Sequence, residues 1–257
     1  IIETINQFFS NIFSSVDNSI YEILDKITFI DTKIIEKENF IKLFGENSSS
    51  GILLICNSLI LGFLLFYITN YLFSHLTYSK VQAPKEFIFK AIIFVAVMNS
   101  SYWICSQIIN IISLISESIC NLGEILFGEE ISFANFLSTI NKKIYAETGI
   151  FNVTSFDGII KTFTTMGFMN LIFSYSLRYI MLQVFVLIFP FSVLCLINQK
   201  TEWIFKTILK AFLSLLFEQV LIAIILVLAF SFTFVASNNM SKILYIGIIY
   251  ALMKANT

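Results

Sequence analysis

The chain has 257 residues, of which 57% are hydrophobic and only 13% charged, with a mean hydropathy of +0.85. A soluble domain carries about 25% charged residues, so this chain cannot cover a water-facing surface with polar groups, and its solvent is a bilayer. The net charge of −1 excludes a broad nucleic-acid-binding surface as its main feature.

Residues 1–30 place Ile5, Phe8, Phe9, Ile12, Phe13, Val16, Ile20, Ile23, Leu24 and Ile27 at helical spacing, with acids and amides on the other face. That pattern predicts an amphipathic helix along the membrane interface. Its polar face is acidic rather than Lys-rich, so a protein partner suits it at least as well as lipid headgroups. No compact apolar core follows a basic start there, so no cleavable signal peptide is expected. Residues 31–50 are polar, end in ENSSSG and read as a loop. The first 50 residues thus form one segment, followed by a transmembrane helical domain over 51–257.

Gly51 to Phe73 is uncharged and long enough to span. His75 to Lys90 is a short polar connection containing Pro84, and Ala91 to Ile115 reads as the second span. Residues 116–158 form a long polar loop. Ile159 to Ile197 is an apolar run interrupted by Arg178, the only arginine, and by Pro190, one of two prolines. After NQKTEWIFKTILK comes another span, Ala211 to Ala236, then a turn at SNNMSK and a short apolar stretch, Ile243 to Met253. The fold class is therefore an all-α polytopic membrane protein with about five transmembrane helices, an N-terminal amphipathic helix and a long outer loop.

Lysines set the orientation. Connections 75–90 and 198–210 carry three each, whereas the 43-residue loop 116–158 has two. The dense connections belong in the cytoplasm, and the N-terminus and long loop outside. Residues 159–197 then cross an odd number of times, most simply once. Arg178 lies 20 residues from Asn198, about 30 Å of helix, and would snorkel at the outer interface. Ile159 to Leu177 would lie along that interface, dip in and return, or pack on partner subunits. The competing reading is two crossings with a turn at Ser174–Arg178.

Pro190 should kink its helix near Val186, as a packing kink or as a hinge beside a pathway. Glu218 lies two turns beyond Lys210, about 12 Å deeper, where a carboxylate is neutral, paired or facing water. Gln219 is beside it. By depth Arg178 and Glu218 are not level, so no direct ion pair is expected. Arg178, Pro190, Glu218 and Gln219 are candidates for a pathway or gate. Asn57 on the first span and Asn99, Trp103, Ser106, Gln107 and Asn110 on the second mark a polar face, for helix packing and oligomerisation or for a wetted lining. Trp203, between Lys200 and Lys206, is an interface anchor. The four scattered cysteines, Cys56, Cys105, Cys120 and Cys195, have no disulfide or zinc spacing and read as packing residues. A lone His75 is no metal site, and neither a phosphate loop nor a nucleophile elbow is present. No catalytic residue, metal or cofactor is expected.

The stretch LRYIMLQVFVLIFPFSVLCLINQKTEWIFKTILKAFLSLLFEQVLIAII resembles the TrbL-like family, polytopic inner-membrane subunits of type IV secretion and conjugation systems. The similarity covers roughly 160–225. It rests on an arginine in an apolar run, a proline followed by a bulky residue, a polar Thr-x-Trp connection and a helix with glutamine. These fall on Arg178, Pro190–Phe191, Thr201, Trp203 and Gln219. The C-terminus is shorter than in that family, no second proline follows Pro190, and the outer loop is modest. The resemblance implies a non-enzymatic, homo-oligomeric channel or scaffold in the bacterial cytoplasmic membrane. Its partners would be a pilin-like or wall-directed component outside and ATPases inside, and its cargo single-stranded DNA or protein. A different class also fits the residues: a secondary transporter or small-solute exporter with Glu218 as coupling carboxylate.

Overall fold

A computed structural model describes residues 23–77, 83–136, 156–197, 201–232 and 239–255. Most of the predicted N-terminal helix (1–22) and the centre of the predicted outer loop (137–155) lie outside the described residues. All regular structure among the described residues is helical. The labelled helices are α1 (Glu38–Phe44), α2 (Gly51–Thr77), α3 (Pro84–Asn99), α4 (Ser101–Phe127), α5 (Phe156–Leu194), α6 (Glu202–Ser231) and α7 (Asn239–Ala255). Four of them, α2, α4, α5 (with the turn after it) and α6, are long and apolar enough to cross a membrane.

The predicted second span is not one helix. It breaks at Ser100, between α3 and α4, where three polar residues follow one another. Asn99 Nδ2 donates to the carbonyl of Val95 at 2.9 Å, and Ser101 Oγ to that of Met98. Such local bonds offer the backbone an alternative to the helical ladder. α4 then runs to Phe127, twelve residues into the segment expected as loop, so the apolar stretch long enough to cross is Ser101–Phe127. The predicted 31–50 loop likewise contains structure, a 3₁₀ turn at Thr32–Ile34 and α1, with Ile34, Phe40 and Phe44 buried. Its turn into α2 needs glycine: Gly45 and Gly51 have φ of +123° and +57°, and a Cβ on Gly51 would stand 2.5 Å from the Leu43 carbonyl oxygen.

α5 is one continuous helix of 39 residues, about 58 Å long, roughly twice the hydrocarbon thickness. No turn interrupts it at Ser174–Arg178, and Ile159–Leu177 is not a separate interfacial piece. It continues through Pro190 to Leu194. Its inward stripe, Phe168, Leu171, Tyr175, Arg178, Leu182, Val186, Phe189 and Val193, repeats at three and four residues and is buried throughout. α6 buries Phe212, Leu216, Gln219, Ala223, Leu226 and Ala229 in the same way. α2 has no such stripe. Of its apolar span only Leu53 and Cys56 are buried, so most of its surface is exposed and apolar and suits lipid or another chain.

The chain divides into two compact units. The first gathers residues up to Ile30, Ile111–Ile180 and those from Leu216 onward. Its core packs Leu171, Tyr175, Ile222, Leu226, Ile249 and Leu252 around the residues of 23–30. The second comprises Asp31–Asn110 and Met181–Leu215. There Phe189 meets Phe205 and Phe212 in edge-on and tilted ring contacts, and Tyr67 stacks on Phe87 with centroids 3.7 Å apart.

Candidate functional site

The apolar helices carry few polar side chains, and in the first unit those converge on the backbone of Thr28–Ile30. Residues 23–28 are helical, and the chain then leaves the helix. Leu24, Thr28 and Ile30 are fully or almost fully buried. The segment is thus set into the helical core rather than lying at a membrane interface. A non-helical backbone in such surroundings needs partners for its carbonyl and amide groups.

Arg178 and Gln219 supply them. Arg178 is 1% exposed, not a snorkelling anchor. Its Nη2 donates to the Thr28 carbonyl oxygen, and its guanidinium carbon stands 5.5 Å from the Tyr175 ring centroid, one turn back on α5. Gln219 Oε1 accepts from the Ile30 amide at 3.2 Å. Glu218 compensates the charge: its Oε1 lies 3.5 Å from Arg178 Nη1, both side chains being almost fully buried. The expectation that these two residues are not level was wrong. The depth count starts from interfaces at Asn198 and Lys210, one bilayer per helix. α5 and α6 are both longer than that, so the count does not place their side chains. Tyr175 completes the cluster by donating its hydroxyl to the Leu252 carbonyl of α7 at 3.3 Å.

The cluster is not saturated. Arg178 Nε and Nη1, Gln219 Nε2 and Thr28 Oγ1 are buried and make no hydrogen bond; the contact of Nη1 with Glu218 is an ion-pair distance. Chemically this is an electrostatic and hydrogen-bonding staple. It fixes backbone and holds two opposite charges out of solvent.

The second unit repeats the device with neutral groups. Gln183 Nε2 donates to the Ile34 carbonyl at 3.0 Å, and the Tyr102 hydroxyl to that of Ile35 at 3.2 Å. The first unit also uses a carboxylate in this way. Asp25 accepts from the amides of Phe133 and Ala134 at 2.7 and 3.3 Å, while Ser132 Oγ accepts from Asn135 at 3.1 Å. Together they satisfy the first three free amides of the helix beginning at Phe133. Burial pushes the Asp25 carboxyl above its ordinary value, against the opposing pull of those two amides, with the nearby Glu130 adding to the rise.

The other candidate residues do not join this cluster. Pro190 is buried on α5, where its missing amide leaves the Val186 carbonyl without its helical donor. Asn57 Nδ2 donates to the Ser48 carbonyl at 2.8 Å and lies 3.4 Å from Asn99 Oδ1, so these two amides pack α2 against its own preceding turn and the end of α3. On α4, Ser106 is half-buried, whereas Trp103, Gln107 and Asn110 are exposed. Trp203 is 65% exposed near the start of α6, where Glu202 and Lys206 pair at 2.7 Å. Thr28, Ile30, Tyr175, Gln183, Tyr102 and Asp25 were missed from sequence. Only Tyr175 left a signal, its three-residue spacing from Arg178 on a helical face. Among the described residues no three His, Cys, Asp or Glu side chains gather in a metal-binding group.

Compared with protein-family models, with curated proteins and with solved structures, the chain finds no match.

Proposed function

We propose that this chain is a non-enzymatic channel or scaffold subunit of a type IV secretion machine in a bacterial cytoplasmic membrane. It works as a homo-oligomer with a pilin-like or wall-directed component outside and ATPases inside, and it moves single-stranded DNA or protein. The observation that carries the reading is where the polar residues of the resemblance go. Arg178 and Gln219 both grip the backbone at Thr28–Ile30, which is the work of a scaffold rather than of a reacting group. The unstriped, apolar α2 adds surface for lipid or neighbouring subunits. The lysine count puts the N-terminus outside, with α2, α4, α5 and α6 crossing and α7 as a fifth, short crossing.

The test joins mass and transfer. The protein is extracted in native lipid discs for native mass spectrometry, and its gene is deleted from a donor strain carrying the transfer machine. A homo-oligomer with secretion subunits attached, and loss of transfer restored by the gene in trans, are expected. A bare monomer together with undiminished transfer refutes the proposal.

The secondary-transporter reading has one observation in its favour, the buried ionisable pair Arg178–Glu218, because such groups within membrane helices often serve transport. Proton-driven uptake into liposomes that Glu218→Gln abolishes would establish it, and absence of any flux would dismiss it.

A further inference from the structure

α4 turns an exposed polar stripe away from its own chain. Gln107, Asn110, Glu117 and Asn121 are all exposed, and at 100° per residue they fall within an arc of about 80° that also holds the exposed Trp103 and Leu114. The helix packs its own chain with a different side, through Cys105, Ile109, Ile112 and Cys120, all buried. A third strip, with Ile111, Ile115 and Leu122, is exposed and apolar. The helix therefore has one side for its own core, one suited to acyl chains and one on which amides and a carboxylate sit among apolar side chains.

Length fixes the depth of the third side. About 20 residues cross the hydrocarbon, and α4 has 27, from Ser101 to Phe127. Wherever such a crossing is placed within α4, it includes residues 108–120, and so Asn110 and Glu117. Lipid solvates neither an amide nor a carboxylate. A dry contact with a second copy would suit Asn110, since an amide both donates and accepts. It does not suit Glu117, which would be brought towards its own counterpart around a symmetry axis.

We infer that this stripe of α4 lines a water-filled path between copies of the chain, with Glu117 as its charged ring. Water solvates the carboxylate, the amides extend the wetted surface along the helix, and the apolar strip beside them faces lipid. The four stripe residues carry an acid and no base, so the path favours cations and cationic segments over polyanions. This rests on the channel-forming assembly proposed above and narrows its cargo towards protein.

Single cysteines at Gln107, Asn110, Asn121, Ile111 and Ile115 test it in the full chain, in right-side-out and inverted membrane vesicles. The unsubstituted protein is the blank, because Cys56, Cys105 and Cys120 are buried and Cys195 is half-buried. Membrane-impermeant thiosulfonates should modify the three stripe positions and leave Ile111→Cys and Ile115→Cys untouched. Modification should occur from both faces, or from opposite faces at the two ends. A cationic reagent should gain over an anionic one at Asn121→Cys, one turn from Glu117. Glu117→Gln should reduce that preference by about tenfold, for a unit charge about 6 Å away in water.

Stripe positions that stay unmodified, with or without oxidative cross-linking between copies, overturn the inference in favour of a dry interface. Modification of the whole stripe from one face alone overturns it in favour of a helix lying in the membrane plane. Equal modification of stripe and strip, or a preference that Glu117→Gln leaves unchanged, also refutes it. An intact oligomer with active transfer but a silent stripe would sink this inference and spare the proposed function.

Discussion

Replacing Arg178 by Met removes the guanidinium paired with Glu218 and the donor to the Thr28 carbonyl, while keeping an unbranched side chain that fills much of the same space. Two groups then lose that partner. Glu218 is 6% exposed, and a buried charge that loses its partner costs about 3–5 kcal/mol. A buried carbonyl without its donor adds about 1–3 kcal/mol, although the two overlap because the mutant can relax around both. Glu218→Leu alone strands Arg178 in the same way. The double replacement Arg178→Met with Glu218→Leu removes both charges and leaves only the Thr28 carbonyl unpaired, a loss of about 1–3 kcal/mol. The double mutant is therefore more stable than Arg178→Met alone, and the cycle gives a coupling energy of several kcal/mol. Unfolding in mixed micelles with increasing denaturing detergent, followed by tryptophan fluorescence, reads all four corners. Arg178→Lys is the geometric control, since a single ammonium point cannot copy a planar fork that reaches Thr28 and Glu218 together. Single mutants that each lose under about 1 kcal/mol, or a double mutant whose loss equals the sum of the two, would show that the pair does not hold this region.

Gln219→Leu should free the Ile30 amide and cost about 1–3 kcal/mol; hydrogen exchange at Ile30 should accelerate while α6 stays protected. Asp25→Ala should cost about 1 kcal/mol by uncapping Phe133 and Ala134, measured by the same unfolding assay, and Asp25→Asn should cost less because one acceptor remains. The native Asp25 carboxyl binds its proton more tightly than in the unfolded chain, so its contribution to stability is greatest below the ordinary value of 3.8 and falls as pH rises through the window above it. Asp25→Asn should flatten that slope, and an unchanged slope would assign it to other groups. Gly123→Val should destabilise by about 1–3 kcal/mol, because even a Cβ there meets Val227 Cγ2 at 2.8 Å and Ile131 Cγ1 at 2.9 Å. Gly62→Ala, with nothing within 4 Å, should leave the thermal midpoint unchanged or raise it.

Apolar run length was enough to read the helical class and the long helices α2, α5 and α6, because it is summed over many residues. Pairings could not be read that way. Arg178 and Glu218 were separated by a depth count that assumed each helix ends at a lipid surface, and α5 does not. The break at Asn99–Ser100–Ser101 is three polar residues in a row, of which the sequence reading assigns Asn99 to a lateral polar face. Its outcome turned on side chains bonding to carbonyls three and four residues back, a local competition that hydropathy does not measure. The burial of Thr28–Ile30 left almost no trace in the sequence. Backbone groups carry the interaction there, and every residue has the same backbone.

The staples also order events in time. The bonds to Thr28, Ile30 and Ile34 join residues separated in sequence by 150, 189 and 149 positions. The segment Thr28–Ile34 is thus completed by helices synthesised well after it. Until Gln183 and Gln219 have been inserted, the backbone of residues 28–34 has no side chains to receive it. It must wait at the membrane surface or be held by an insertion factor, and closing so long a loop belongs to the slow, late steps of folding. The later helices are the chaperone of the earlier segment.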